Sequence, residues 1–302
     1  MINYKNNSWF LLLAMLITAG CSKKEAALTP SNKDENYLVV QDNPNDPVEH
    51  MVYELYKATG IPVFYNDTIA RRQVGDSAGI PQYFYTRLMV KYSPSTGEAT
   101  DLKFTLLPKQ KRAKSMLTLL QNDLLTVLPP LPSVLLTDSL FVPSSQSVPV
   151  IRDAQVGFNT VAIRSVNPDT MSTDAKKKYV LAVLTRVASQ KLGMFKSALL
   201  ETDFYDISRA ASPYLDPYSK LLKQLSPDGS QTLEDFGFII SVKNQNKIYA
   251  PEKSRDLESY LQAVFSNTTD AFNTQYANYP AVLKKFGVIK AMLTDLKFKL
   301  PG

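Results

Sequence analysis

The sequence predicts an α+β fold, with a mixed sheet in the N-terminal half and a helical C-terminal third. Short apolar runs of strand length are concentrated between residues 61 and 166. The last fifty residues carry three successive stretches of helical period. Strands thus precede helices and do not alternate with them, which is the order of an α+β chain.

The elements follow in chain order. In "DPVEHMVYELYKATG" Asp46 can cap a helix, Pro47 suits its first position, and Glu49 completes a capping box. Val48, Val52, Leu55 and Thr59 share one face until Gly60 stops the helix. "IPVFYND" reads as a short strand. "PQYFYTRLMVKYS" alternates Phe84, Thr86, Leu88 and Val90 against Tyr83, Tyr85, Arg87 and Met89, the pattern of a half-exposed strand, and "STG" turns it toward "TDLKFTLL". A helix is expected over residues 109–127, ending at Pro129 and Pro130. "SVLLTDSLFVP" and "VGFNTVAIRSV" are further strands. "STDAKKKYVLAVLTRVASQKL" is a long helix capped by Ser172 or Thr173. "SRDLESYLQAVFSN", "TTDAFNTQYANYP" and "AVLKKFGVIKAMLTDL" complete the helical end.

The N-terminus indicates export. Lys5 precedes the apolar run "WFLLLAMLI", which is of signal-peptide length and too short to span a bilayer. "TAGC" then resembles a bacterial lipobox, in which cleavage leaves Cys21 as the acylated first residue, held at a membrane by its lipid chains. The expected organisation is a signal peptide over 1–20, a lipidated N-terminus and polar tether over 21–45, and one domain over 46–302. Cys21 is the only cysteine, so the domain is held together by its core and not by disulfides. The formal net charge is +6, with basic clusters "KQKR" at 109–112 and "KKK" at 176–178. On an exported lipoprotein these read as solvated helix ends, not as a nucleic-acid surface.

The chain is short of catalytic parts. His50 is its one histidine, which excludes a metal centre or triad built on two or more. It lies in the first turn of a capped helix and reads as a solvated or packed residue. No G-x-S-x-G elbow, S-x-x-K pair or glycine-rich phosphate loop is present. A pair of carboxylates remains open as hydrolytic machinery, since there are 28 acids. "DNPND" at 42–46 has the look of a calcium loop, but Pro44 stands at a ligand position and a turn with a helix cap is the simpler reading. Of the 16 tyrosines, Tyr83, Tyr85, Tyr276 and Tyr279 would suit stacking on sugars or peptides, or simply belong to core and rim.

The helix at 180–192 is unusual. Its apolar residues Tyr179, Val180, Leu181, Val183, Leu184, Val187 and Leu192 wrap most of its circumference, which implies burial on several sides. Thr185 and Ser189 share a face and can bond back to the preceding turn. Arg186 needs an acidic partner or a path to solvent.

From about residue 47 onward the chain resembles the substrate import-associated zinc metallohydrolase lipoproteins of Bacteroidetes, encoded beside SusC/SusD-type nutrient importers. The likeness lies in the lipobox, in "HMVYELYKATGIPVFYND" and in "DLESYLQAVFSNTTDAFNTQYANYPAVLKKFGVIKAML". It implies a zincin-like domain whose central helix bears H-E-x-x-H, with a later acidic residue on the metal. In the best register "TRVAS" falls on that motif, so Thr185 and Ser189 stand at the ligand positions and Arg186 at the general-base position. "DLES" puts Ser259 at the carboxylate position, beside Asp256 and Glu258. Hydroxyls do not replace imidazoles on zinc, and arginine cannot accept a proton.

The resemblance therefore implies a degenerate member with no catalytic residue, no metal and no cofactor, in which Arg186 fills the vacated space and pairs with Asp256 or Glu258. The implied role is an accessory or substrate-binding subunit of a SusC/SusD-like importer, with a peptide or glycan as ligand, lipid-anchored to the outer membrane and facing the cell surface. A hydrolase using carboxylates or an oxygen-liganded metal, or a purely structural importer subunit, are the alternatives. Four D-[ST]-aliphatic stretches resemble the O-glycosylation sequon of those bacteria, with acceptors Thr68, Ser77, Ser139 and Thr170.

Overall fold

The computed structural model describes residues 36–93, 97–98, 101–108, 113–143 and 148–301. The expected signal peptide, Cys21 and the basic cluster at 109–112 lie outside these residues. Tyr37–Gly302 forms one compact unit. It takes in the end of the stretch assigned to the tether, because Leu38 and Val40 pack against its apolar clusters.

The first helix, α1 (Pro47–Thr59), is set by its ends: Asp46 accepts the amides of Val48 and Glu49, and Gly60 closes it at φ 72°. Val52 and Leu55 are its buried face. The Glu49 carboxylate accepts the Asn43 side-chain amide, which ties the preceding turn to the helix.

A mixed sheet, six-stranded among the described residues, is centred on β7 (Val134–Val142). Each edge of β7 is shared by two strands. On one edge β1 (Val63–Phe64) pairs parallel with its beginning and β6 (Lys103–Leu106) antiparallel with its end. On the other edge β10 (Val161–Arg164) runs parallel and β8 (Val150–Ile151) antiparallel. β9 (Ala154–Val156) pairs antiparallel with β10 and ends the strand path.

Alternation along β7 sends Val134 and Leu136 into the large helical core and Leu135 into a smaller cluster with Leu88, Val90 and Leu102. Thr105 pairs Ser139 while Leu106 pairs Thr137, so Asp138 is an extra residue. That bulge flips the phase, and Leu140 faces the smaller cluster with Leu135.

The expected half-exposed strand over 81–93 needs correction. Residues 80–87 are β3 (Ile80–Arg87), which pairs with β2 (Thr68–Ser77) in a hairpin outside the main sheet, and almost every residue of β3 is exposed. The reading lacked β2 because "TIARRQVGDS" has no apolar alternation. The hairpin is made instead by its two-residue turn, Ala78 and Gly79, both at positive φ (54° and 81°). In the continuation the expected alternation holds, with Leu88 and Val90 buried and Arg87 and Met89 exposed. Residues 87–90 are clamped to the β9–β10 turn by the Asn159 side chain, which accepts the Met89 amide at 2.7 Å and donates to the Arg87 carbonyl at 3.2 Å. Gly157 permits that approach, since a Cβ there would lie 2.3 Å from the Met89 oxygen. β4 (Tyr92–Ser93) pairs antiparallel with β5 (Gly97–Glu98), Ser95 and Thr96 of "STG" lie outside the described residues, and β6 pairs with β7.

α2 (Ala113–Leu119) continues as a π-helical turn over Leu120–Leu124, inside the expected 109–127 span. Ser172 caps the long α3 (Thr173–Phe195) by accepting the Ala175 amide. Short turns follow: α4 (Ser197–Leu199), a π turn over Leu200–Tyr205, α5 (Asp206–Ala210) and α6 (Leu222–Leu225). A small hairpin, β11 (Val242–Asn244) and β12 (Lys247–Tyr249), precedes α7 (Lys253–Ser266), α8 (Thr269–Gln275) and α9 (Pro280–Asp295). The helical C-terminal part of the predicted α+β fold is thus present. α3 packs on β9 and on α7, and α9 packs on α7. No helix among the described residues is long and apolar enough to cross a membrane.

Candidate functional site

The two stretches singled out from the sequence, "TRVAS" and "DLES", lie on α3 and α7, which pack against each other. The α3 stripe that faces inward is Tyr179, Val183, Leu184, Thr185, Val187, Ala188 and Leu192. Val180 and Leu181 are only half-buried, so α3 is buried on one broad face and not on several sides.

One of the expected hydroxyl roles differs. Thr185 is buried, and its hydroxyl has no hydrogen-bond partner, so it does not bond back to the preceding turn. Ser259 does so on its own helix, donating to the Asp256 carbonyl at 2.7 Å. Ser189 is half-buried on α3.

The expected pairing of Arg186 with Asp256 is also corrected. Asp256 and Arg186 belong to different environments. Asp256 is fully buried and its Oδ2 accepts Lys285 Nζ of α9 at 2.5 Å and the Tyr218 hydroxyl at 3.1 Å, while Oδ1 has no partner. Lys285 is equally buried and also donates to Ser208 Oγ at 3.0 Å. Aromatic rings wall in the ammonium, with Phe204, Phe238 and Tyr260 centroids 4.3, 4.9 and 5.0 Å from Nζ. Gly237, at φ 79°, lies against the lysine stem, where a Cβ would come within 3.1 Å of Cδ. Burial pushes the Lys285 ammonium down to about 8, and the Asp256 carboxylate limits the fall. Burial lifts Asp256 against the pull of Lys285.

A serine bonded to a lysine of lowered pKa has the parts of a nucleophile and its base. Here both side chains, and Asp256 with them, have no exposed surface. No substrate atom can reach Ser208, and the cluster is a polar knot in the core.

Arg186 lies on the wetter side of the seam. It is half-buried, its Nε is shielded from water, and that Nε has no partner. Burial holds the guanidinium below its ordinary value. Arg152 adds to the fall, and the exposed Glu258 opposes it. Of the two acids proposed for Arg186, Glu258 is therefore the one whose charge it feels. Arg152, at the start of the β8–β9 connection, was not singled out from the sequence; its Nε is likewise shielded and unpartnered.

These residues do not fit a zinc ion. Hydroxyls, two guanidiniums and one acid are the wrong donors, and among the described residues no three His, Cys, Asp or Glu side chains gather. Asp42 accepts a hydrogen bond from His50 Nδ1 at 2.7 Å at the surface and raises that imidazole above its ordinary value. Within "DNPND", Asp42, Asn43 and Asp46 are engaged with His50, Glu49 and the α1 cap respectively.

Elsewhere, a cleft of about 740 Å³ lies between residues 37–43, α1 and β6, with Phe64, Ile69 and Leu106 among its walls. Tyr65 lines it, and burial pushes this phenol above its ordinary range. Tyr83 and Tyr85 are exposed on the β2–β3 hairpin with Arg71 stacked 3.6 Å from the Tyr83 centroid, whereas Tyr276 and Tyr279 pack against the core. Among the sequon acceptors, Ser77 and Thr170 are exposed; Thr68 and Ser139 are half-buried, with Ser139 Oγ 2.8 Å from Thr105 Oγ1.

No model of a known protein family, no curated protein and no solved structure matches this chain.

Proposed function

We propose that the protein is a cell-envelope lipoprotein carrying a zincin-like, metallohydrolase-type domain without its metal, and that it serves as an accessory or substrate-binding subunit of a SusC/SusD-like nutrient importer. One observation carries the reading. "TRVAS" and "DLES" were placed by sequence register alone, about seventy residues apart. They occur on two helices packed against each other, as a metal helix and its later acidic partner must be. The side chains at those positions, Thr185, Arg186, Ser189 and Ser259, can neither bind zinc nor accept a proton from water at neutral pH. A seam that keeps its shape can still bind the substrate class of an active relative, since binding needs complementarity and a few polar groups and not a metal. The lipid anchor at Cys21 would hold it at the outer membrane, facing the cell surface beside the importer.

The test is a pull-down of the acylated protein from native membranes in gentle detergent, with elemental analysis of the eluate. Importer subunits and no stoichiometric zinc are expected. A tightly held zinc, or turnover lost on changing one carboxylate, would sink the reading in favour of a hydrolase. Importer subunits alone, with no peptide or glycan bound under any condition, would reduce the role to a structural one.

A further inference from the structure

We propose that the β2–β3 hairpin is a membrane-docking element, which lays its tip into the phosphate layer of the bilayer that holds the lipid anchor. The inference rests on the lipoprotein reading above and adds an orientation to it.

The hairpin stands outside the main sheet, and every residue from 73 to 85 is exposed. Its register sorts the side chains onto two faces. Arg71 pairs Tyr85 and Gln73 pairs Tyr83, so these four share one face with Arg87. Arg72 pairs Phe84 and Ser77 pairs Ile80 on the other, and Val74 is the extra residue of the bulge between Gln73 and Gly75. Apolar groups are displayed to water: Ile80, Val74 and Phe84 are 65, 56 and 55% exposed. Cations stand among the rings. The Arg71 guanidinium is 3.6 Å from the Tyr83 centroid and 5.9 Å from that of Tyr85, and Arg87 is 5.8 Å from Tyr85. Between Thr68 and Arg87 the chain has three arginines and one acid, Asp76, whose carboxylate accepts the Gly79 amide at 2.7 Å in the turn. The hairpin therefore presents net positive charge and calls for an anionic partner.

Having two such faces selects the occupant. A protein surface covers one face of a ribbon, whereas a headgroup layer surrounds both. Tyrosine rings and apolar side chains beside arginines are the composition of segments seated at a membrane interface, with the cations among the phosphates. The unpaired backbone groups on the edges of a two-stranded ribbon keep it at headgroup depth, because hydrocarbon offers them no partner. Position agrees with chemistry. Leu38 and Ile69 pack against the same small cluster, so the chain enters the compact unit beside the root of β2. Cys21 lies 16 residues before Tyr37, a span of at most about 55 Å. From Ile69 to its turn the hairpin reaches about 30 Å. An anchor at Cys21 thus keeps the tip within reach of its own bilayer, and a contact too weak to hold a free protein becomes occupied.

The chain's one tryptophan, Trp9, falls in the expected signal peptide, so the processed Ile80→Trp protein carries a single indole. The acylated variant is placed in vesicles of phosphatidylcholine and phosphatidylglycerol, with and without brominated acyl chains. Its emission should move to shorter wavelength and be quenched by the brominated lipid. Tyr214→Trp, at a fully exposed position outside the hairpin, should show neither effect. Adding Arg71→Gln and Arg87→Gln to Ile80→Trp should lower the ratio of docked to free hairpin by about tenfold or more, since each arginine near an anionic surface contributes about fivefold. All of these positions are exposed, so the core is left intact. An unshifted and unquenched indole, equal quenching in Tyr214→Trp, or quenching that survives the double arginine variant overturns the docking. Intact mass distinguishes the two failures. A protein that carries its acyl chains but shows no quenching loses only the hairpin's role, and one without acyl chains loses the anchor and the docking with it.

Discussion

Two acids two residues apart on α7, Asp256 and Glu258, face opposite sides of the helix and meet opposite fates. Asp256 turns inward to a lysine, a tyrosine and a ring of aromatics, with no exposed surface on either member of the ion pair. Glu258 stays exposed and acts on Arg186 through its field, without a hydrogen bond. The inner cluster has nearly all its donors and acceptors matched, leaving only Asp256 Oδ1 open. The outer one has two cationic groups with open donors. The lesson is that charge in this core is tolerated where its partners are built in. Outside it, Arg186 has only the field of Glu258 to set against its charge.

This contrast can be broken by substitution. Lys285→Met should be the most damaging change, because it leaves Asp256 buried without a counter-charge. Chemical denaturation should show a loss of about 3–5 kcal/mol, and adding Asp256→Leu should restore much of it. A loss under about 1 kcal/mol from Lys285→Met alone would mean that the inner pair is not a structural unit.

Asp256→Asn should cost less, about 2 kcal/mol, since the stranded lysine can discharge while a stranded carboxylate at neutral pH must first capture a proton. The sign in pH follows. Lys285 in the fold then titrates further below its unfolded value of about 10.4, so between the two the unfolded chain holds more protons and stability rises with pH. Melting curves of the variant from pH 7 to 9 that fall instead would contradict this account.

Arg186→Met should leave the melting temperature unchanged or raise it by about 1–3 °C, the opposite of what a pairing with Asp256 requires. A clear loss of stability would restore that pairing. The smallest effect belongs to His50. Its pKa is raised by Asp42, so the pair contributes fully below the unfolded value of about 6.5 and is lost as pH rises through the folded one. The group is wholly exposed, and His50→Gln should lower the melting temperature at pH 5.5 by no more than about 1 °C and not at all at pH 8.

Much of this contrast was half-visible in the residues. Arg186 drew attention as a charge on an apolar helix. Lys285 carried a comparable signal, since it sits in phase with Val282, Phe286, Ile289 and Met292, the buried stripe of α9. A lysine at such a position must find an acid, and the stripe gives no hint of which one. Arg152 offered nothing: "PVIRDAQV" reads as an ordinary connection, and its importance comes only from the helix laid against it. The β2–β3 hairpin was missed for a similar reason, because both of its faces meet water and no alternation marks it.

Local chemistry settled both ends of α1 and the starts of α3, α8 and α9, where a cap, a proline or a glycine acts within a few residues of the helical period. It also settled that the chain, with a single imidazole, lacks the means for a two-histidine zinc site. Tertiary structure alone decided which charge meets which. Asp256 reaches Lys285 across 29 residues and Lys285 reaches Ser208 across 77, distances at which sequence spacing carries no geometric information. Ion pairing depends on burial and on a few ångströms of approach, and both are products of packing, so the inner knot and the outer arginines become distinct only once α3, α7 and α9 have come together.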